Sequence, residues 1–131
     1  MTGLDTNVLV RYLAQDDAAQ SARATRMIEH ELSERAPGFI GLVVLVETCW
    51  VLKRLYGASA AELRGTVRDL LDTRQFVIEQ RTVVLRAVAR LGSDMGDLAD
   101  ALIAEGAAAA GCARTVTFDK QSVRLGMELL K

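Results

Sequence analysis

The chain has 131 residues and a formal net charge of −1; half of its residues are hydrophobic and a quarter are charged. This composition is typical of a globular protein and excludes both a disordered chain and one with a global basic footprint for nucleic acid. The length predicts a single domain, residues 1–131, that buries about two-thirds of its unfolded surface. The apolar run from Phe39 to Val46 stops at Glu47, short of the roughly 18 residues that a membrane span needs. With no export leader either, we expect a cytoplasmic protein without a membrane partner.

The first part of the chain alternates short strands with helices. A short apolar entry runs into Asp5, and a helical apolar pattern begins directly after it. The elements that follow are a second helix that Asp17 can cap and Pro37 ends, a strand at Gly38–Ile40, and a third helix from Leu42 to Tyr56 that stops at Gly57.

The second part continues the alternation, beginning with a capping box from Ser59 to Glu62 that starts a fourth helix. Further elements are a strand at Phe76–Ile78, a helix marked by Leu85, Val88 and Leu91 and closed by Gly92, a loop at Ser93–Gly96, an alanine-rich helix from Asp97 to Ala110, a strand at Arg114–Phe118, a short helix opened by Asp119, and a terminal strand within Met127–Leu130. This order predicts an α/β fold, a three-layer α/β/α sandwich with a short parallel sheet.

Two aspartates stand where a predicted strand meets a helix. Asp5 ends the first strand, and Asp119 repeats the arrangement near the C-terminus. In open α/β sheets, ligands bind at the carboxyl ends of the strands, so both positions suit a binding site. Asp is also a preferred helix N-cap, and a purely structural role remains an alternative for each.

Glu47 lies within the most apolar predicted helix, where nearly all neighbours are expected to be buried. A carboxylate is almost never fully buried unless it is paired or binds a metal, which favours a metal-site or catalytic role. A solvent-facing position on this helix is the alternative.

Asp97 and Asp100 lie at the start of the alanine-rich helix. Asp97 can cap it, and Asp100 can complement the helix dipole in its first turn. Because Asp100 is also surrounded by apolar residues on a helix expected to be largely buried, a ligand role is open to it as well.

The candidate ligands are all hard oxygen donors, with no His or Cys partners at metal-ligand spacing. Such a set suits Mg²⁺ or Mn²⁺ and not zinc. His30 is interpreted as a surface residue, and Cys49 and Cys112 as core thiols of a reducing cytoplasm. No Ser–His or Cys–His pair and no glycine-rich phosphate loop is evident, which leaves little support for covalent catalysis or nucleotide binding.

Four segments together resemble the signatures of PIN domains, and more narrowly those of VapC-type toxins from bacterial toxin–antitoxin pairs. They are Leu4–Val10, Val46–Glu47, Asp97–Ala104 and Val116–Lys120, in the family's order and approximate spacing. The resemblance implies that Asp5, Glu47, Asp100 and Asp119 form an acidic catalytic cluster, supported by Thr6, Asn7 and Thr117. It departs from the family pattern at Leu98, where an aromatic residue is common.

The resemblance implies a Mg²⁺- or Mn²⁺-dependent endoribonuclease with Asp5, Asp100 and Asp119 as metal ligands and Glu47 as a further catalytic carboxylate. It also implies an RNA substrate, a small antitoxin partner and a homodimer. Arginines at the rim of the acidic site would be needed to bind RNA, because carboxylates repel its phosphates. The alternatives are a phospho-receiver-like signalling domain, which Thr6 and Asn7 after Asp5 match poorly, and a catalytically silent PIN module.

Overall fold

The computed structural model describes residues 1–92, 94 and 98–131, in two compact units, Met1–Glu79 and Gln80–Lys131. The fold is mixed α/β with helices and a short parallel sheet, as the sequence predicted. The expected cap at Asp97 and most of the expected loop at Ser93–Gly96 lie outside the described residues. No helix in the described ranges is long and apolar enough to cross a membrane. The single-domain boundary stays a prediction.

The first unit contains three strands and four helices, and their bounds follow the sequence signals closely. They are β1 (Thr2–Gly3), α1 (Thr6–Ala14), α2 (Ala18–Arg26) with a π-helical continuation at Met27–Glu31, β2 (Gly38–Ile40), α3 (Leu42–Tyr56), α4 (Ala60–Asp72) and β3 (Phe76–Ile78). The predicted caps are present, because Asp17 accepts a hydrogen bond from the Gln20 N–H and Ser59 forms a reciprocal capping box with Glu62. Gly57 ends α3 with a φ of +66°, a left-handed conformation that glycine adopts readily.

The sheet of the first unit has the strand order β1-β2-β3, and both pairs are parallel. Gly38 of β2 lies opposite Thr2 of β1 and Phe76 of β3. A Cβ at Gly38 would come within 2.7 Å of the Leu32 side chain, so a larger residue would require that side chain to shift. Because all three strands run the same way, their carboxyl ends share one edge of the sheet.

A single apolar core holds the first unit together. Its most completely buried side chains come from helices and the central strand alike: Leu9, Ile28, Ile40, Leu45 and Val67. Each such side chain contributes about 1.5–3 kcal/mol by burial, which is why the helices settle in one arrangement around the strands. The carboxyl end of β1 and helix α3 are therefore positioned by this core.

The second unit is built from two helices, a 3₁₀ segment and a two-stranded parallel sheet. Its elements are α5 (Arg81–Leu91), α6 (Leu98–Ala109), β4 (Val116–Thr117), the 3₁₀ segment Lys120–Leu125 and β5 (Glu128–Leu129). Helices α5 and α6 pack on each other, and α6 also packs on the 3₁₀ segment. The pairing of β4 with β5 confirms the terminal strand, although β4 is shorter than the predicted strand Arg114–Phe118.

Several burial expectations were wrong. Helix α6 is not largely buried: only Leu98, Ala101 and Leu102 are buried, and Ile103 is 55% exposed. Cys49 is a core thiol, but Cys112 is exposed. A largely apolar helical sequence is compatible with both a buried helix and one that exposes a face, so composition alone could not separate the two.

Candidate metal centre

Asp5 lies directly after β1, at the carboxyl end of the first strand, and it caps α1. Its Oδ1 accepts a hydrogen bond of 2.8 Å from the Thr6 N–H. Oδ2 has no protein partner among the described residues, and the side chain is exposed. One oxygen therefore caps the helix, as expected, while the other stays available to a ligand, and the ligand role remains a prediction.

Glu47 lies on α3, and the expectation that nearly all of its neighbours on this helix are buried was wrong. The residue is exposed, and so are Val43, Trp50 and Leu55 on the same helix. Glu47 is nevertheless held in place, since the Thr6 Oγ1 donates a hydrogen bond of 2.9 Å to its Oε1. This contact ties the residue that follows Asp5 to an acid far along the chain and leaves Glu47 Oε2 without a partner in the described chain.

Glu79 is a further carboxylate at this edge of the sheet, and the sequence reasoning missed it. It follows β3, and its Oε1 accepts a hydrogen bond of 2.8 Å from the Leu42 N–H at the start of α3. Gly41 has no side chain to cap α3, so Glu79 supplies the cap from a neighbouring strand. An acid directly after the Phe76–Ile78 strand was the available signal.

The second unit carries the other two predicted acids. Asp119 is exposed and caps the 3₁₀ segment: its Oδ1 accepts from the Gln121 N–H at 2.9 Å and its Oδ2 from the Ser122 hydroxyl at 3.4 Å. Asp100 lies in the first turn of α6, half-buried, with no hydrogen-bond or ion-pair partner among the described residues. Since α6 packs on the 3₁₀ segment, both acids belong to contacting elements.

The donor chemistry of these residues fits a hard divalent cation. All four candidates offer carboxylate oxygens, and Asp5, Glu47 and Asp100 each keep at least one oxygen unpartnered within the described chain. Mg²⁺ and Mn²⁺ prefer such oxygens and take few protein ligands, with water and phosphate completing the shell. Within the described part of either unit, no group of three His, Cys, Asp or Glu side chains is arranged to hold a metal. The ligand set stays a prediction.

A groove of about 530 Å³ begins at α1, one turn from Asp5. Its lining residues come from α1, from α2 and from the first residue of the π-helical continuation: Asn7, Val8, Arg11, Gln20, Arg23, Ala24 and Met27. The two guanidinium groups make this groove a candidate for contact with phosphate, which arginine binds in planar, bidentate fashion.

The two arginines of the groove differ in their partners. Arg11 is paired with Asp16 at 3.2 Å and donates to the Gln20 side chain at 2.8 Å. The Tyr56 hydroxyl also donates to Asp16, and this hydrogen bond lowers the pKa of Asp16, which keeps the carboxylate charged beside Arg11. Arg23 has no partner among the described residues and is exposed, so its charge is the one available to an anionic ligand.

The chain has the fold of an α/β protein with a short parallel sheet, and acidic residues follow several of its strands. The sequence profile of the PIN domain matches residues 4–126, so the chain belongs to the PIN domain family. No curated protein matches the chain in sequence. PIN domains are generally metal-dependent nucleases that typically use divalent ions, and PIN nucleases act on RNA. The family assignment confirms the resemblance to PIN domains, whereas the narrower VapC type stays a prediction. It favours a nuclease over the phospho-receiver alternative.

Proposed function

We propose that this protein is a Mg²⁺- or Mn²⁺-dependent endoribonuclease, and that it is the toxin of a toxin–antitoxin pair of the VapC type. In this proposal Asp5, Asp100 and Asp119 are metal ligands, and Glu47 is a further catalytic carboxylate. The observation that carries the proposal is the hydrogen bond from Thr6 to Glu47, since it links two of the expected acids within a PIN domain.

The hydrogen bonds of Asp5 and Glu47 suit the roles that we propose for them. Asp5 presents Oδ2 while its other oxygen is fixed by the Thr6 N–H, so the ligand oxygen is oriented before an ion arrives. Thr6 holds Glu47 by one oxygen and leaves the other to accept a proton or to orient a water. A bound divalent ion would polarise the scissile phosphate and lower the pKa of a bound water.

RNA must also be held against the repulsion of these acids. We assign part of this role to Arg23, because its guanidinium is exposed and unpaired among the described residues, in a groove that starts next to the Asp5 cap. Arg11 is already neutralised by Asp16 and contributes shape and hydrogen bonds more than charge. A phosphate contact of this kind gives affinity without sequence preference.

The antitoxin and the homodimer are supported by apolar surface. On α3, Val43 is 73% exposed, Trp50 57% and Leu55 68%, and Arg54 stacks over the Trp50 ring at 5.4 Å. Exposed apolar side chains of this size are typical of protein interaction surfaces. A partner protein packed on α3 would bury them.

The decisive test is cleavage of RNA by the Asp5→Asn variant. Asn is nearly isosteric and keeps the helix cap, but it lacks the charge that holds the ion. We expect metal-dependent cleavage to fall by about a hundredfold or more, while circular dichroism shows an intact fold. Full activity of Asp5→Asn at saturating Mg²⁺ would overturn the metal-site assignment, and inactivity of the wild type towards RNA would favour a silent PIN module.

Arg23→Gln tests the RNA contact. We expect a higher KM, an unchanged kcat, and a salt dependence of binding that is shallower by about one unit of log Kd against log salt concentration. Arg68→Gln is the matched control, because Arg68 is an exposed arginine on α4 outside the groove. Equal effects of both substitutions would mean that only overall charge matters.

A further inference from the structure

Phe118 is the most exposed of the large apolar side chains in the described ranges, at 81% of its surface. The other two phenylalanines are covered to a greater extent, since Phe39 is half-buried and Phe76 is 8% exposed. Exposing an aromatic ring costs free energy, because its apolar area is left in contact with water. A ring held outward in this way is available to a ligand.

The backbone around Phe118 is fixed by local hydrogen bonds. The Asp119 N–H donates to the Thr117 Oγ1 at 3.0 Å, and the Gln121 N–H donates to the Asp119 carboxylate at 2.9 Å. Phe118 therefore lies between a strand residue and a helix cap, on a turn with little freedom. A ring presented on a rigid turn loses little conformational entropy when it binds.

The two residues that follow Phe118 in sequence are both charged. Asp119 precedes the 3₁₀ segment and is a proposed metal ligand, and Lys120 is exposed with no partner among the described residues. An exposed aromatic face beside a free cation is the combination with which proteins bind single-stranded nucleic acid, by stacking on a base and pairing with a phosphate. Bases inside an RNA duplex are already stacked and cannot be reached in this way.

We propose that Phe118 is a stacking platform for one unpaired base of the RNA substrate, beside the metal ligand proposed at Asp119. This inference rests on the proposed endoribonuclease function and deepens it by naming a side chain that contacts a base of the substrate. Lys120 binds the adjoining phosphate in the same contact. Phe118 thus binds a base of the substrate, and the carboxylates carry out the cleavage.

The test measures RNA binding apart from cleavage. All variants carry Asp5→Asn, so that a labelled single-stranded oligoribonucleotide of mixed sequence stays intact while fluorescence anisotropy reports its Kd. We expect Phe118→Ala to weaken binding about five- to 150-fold and Phe118→Trp to keep the affinity, since stacking needs a π-face. Phe118→Leu, which is apolar without a π-face, should lose most of it. Leu85→Ala truncates another exposed apolar side chain of the same unit, and it should change nothing.

A base-deleted oligonucleotide makes the test specific. Removing the stacked base should raise the Kd of the protein that keeps Phe118. It should not raise the Kd of Phe118→Ala any further, because both changes remove the same contact. When the complementary strand is annealed to the oligonucleotide, the Kd should be the same whichever residue stands at position 118. Full affinity of Phe118→Ala or Phe118→Leu would overturn the stacking, and so would an oligomeric state that changes in Phe118→Ala.

The outcomes separate this inference from the proposed function. If the wild type does not cleave RNA but Phe118→Ala still weakens binding to single strands, the nuclease proposal fails and the stacking platform stands. If the wild type cleaves RNA and position 118 is irrelevant to binding, only the stacking is overturned. Absence of RNA binding by the wild type and by its Asp5→Asn variant would overturn both.

Discussion

The two units hold their predicted acids by different means. In the unit Met1–Glu79, Thr6 donates a hydrogen bond to Glu47, 41 residues away in sequence. In the unit Gln80–Lys131, the Asp119 carboxylate accepts from Gln121 and Ser122, two and three residues ahead. One arrangement depends on where a strand end and a helix pack, and the other is formed by a single turn of chain.

This difference predicts different sensitivity to change. The position of Glu47 follows from the burial of the opposite face of α3, where Leu45, Cys49 and Leu52 enter the core. Substitutions that loosen this packing should move Glu47 away from Thr6. Asp119 should keep its local geometry under the same perturbation, because capping bonds close within one turn.

Metal stabilisation should depend strongly on the second unit. If Asp100 is a ligand, Mg²⁺ or Mn²⁺ raises the stability of the wild type by about 2.7 kcal/mol at a hundredfold excess over Kd, and Asp100→Asn loses most of this gain. Zn²⁺ should have no special advantage over either ion. The gain should fade at acid pH, because a protonated carboxylate is a poor ligand. Thermal melting with and without each ion measures the effect.

Asp97→Asn is the matched control for Asp100→Asn, since the two acids lie three positions apart and Asp97 is expected only to cap the helix. It should keep most of the metal-induced rise in melting temperature. Equal losses in both variants would show that the wrong aspartate was chosen, and a melting curve insensitive to both ions would contradict a site preformed without RNA.

Thr6→Val tests the tertiary link in the first unit. Valine has nearly the same shape but no hydroxyl, so Glu47 loses the bond that orients it. We expect activity at low Mg²⁺ to fall about tenfold and to recover in part as Mg²⁺ is raised, as for other residues that position a metal-site group. Thr6→Ser keeps the hydroxyl and should restore activity. Glu47→Gln, which keeps the acceptor oxygen and loses the charge, should not recover with Mg²⁺. Equal activity of Thr6→Val and Thr6→Ser would mean that this bond positions nothing.

The two cysteines, one in each unit, allow burial in the units to be compared without changing a proposed functional residue. Burial raises the pKa of the Cys49 thiol to about 11, whereas Cys112 is exposed. At pH 8, iodoacetamide should label Cys112 and leave Cys49 unmodified until the protein is unfolded, because only an accessible thiolate reacts. Burial of the neutral Cys49 thiol stabilises the fold below about pH 9, and this contribution is lost as the pH rises towards 11. Rapid labelling of both cysteines in the native protein would contradict the buried position of Cys49.

Local signals in the sequence determined most of the secondary structure. Asp5 and Asp17 cap the first two helices, Ser59 with Glu62 starts α4, and Gly57 ends α3, all as predicted. Capping is a short-range interaction between a side chain and the next turn of backbone, so its pattern is complete in a few consecutive residues. The same reasoning found Asp119 at the start of the 3₁₀ segment.

Only the tertiary structure decided which apolar residues are buried and which distant side chains meet. Sequence alone predicted that Glu47 lies among buried neighbours, that α6 is covered and that Cys112 is in the core. These predictions were wrong because hydrophobicity gives the tendency of a residue to be buried, but not which other element packs over it. It also missed Glu79, whose hydrogen bond caps a helix that begins 37 residues earlier. The contact between Thr6 and Glu47 has the same origin: it exists because the core brings the end of β1 beside α3, and no local pattern encodes that distance.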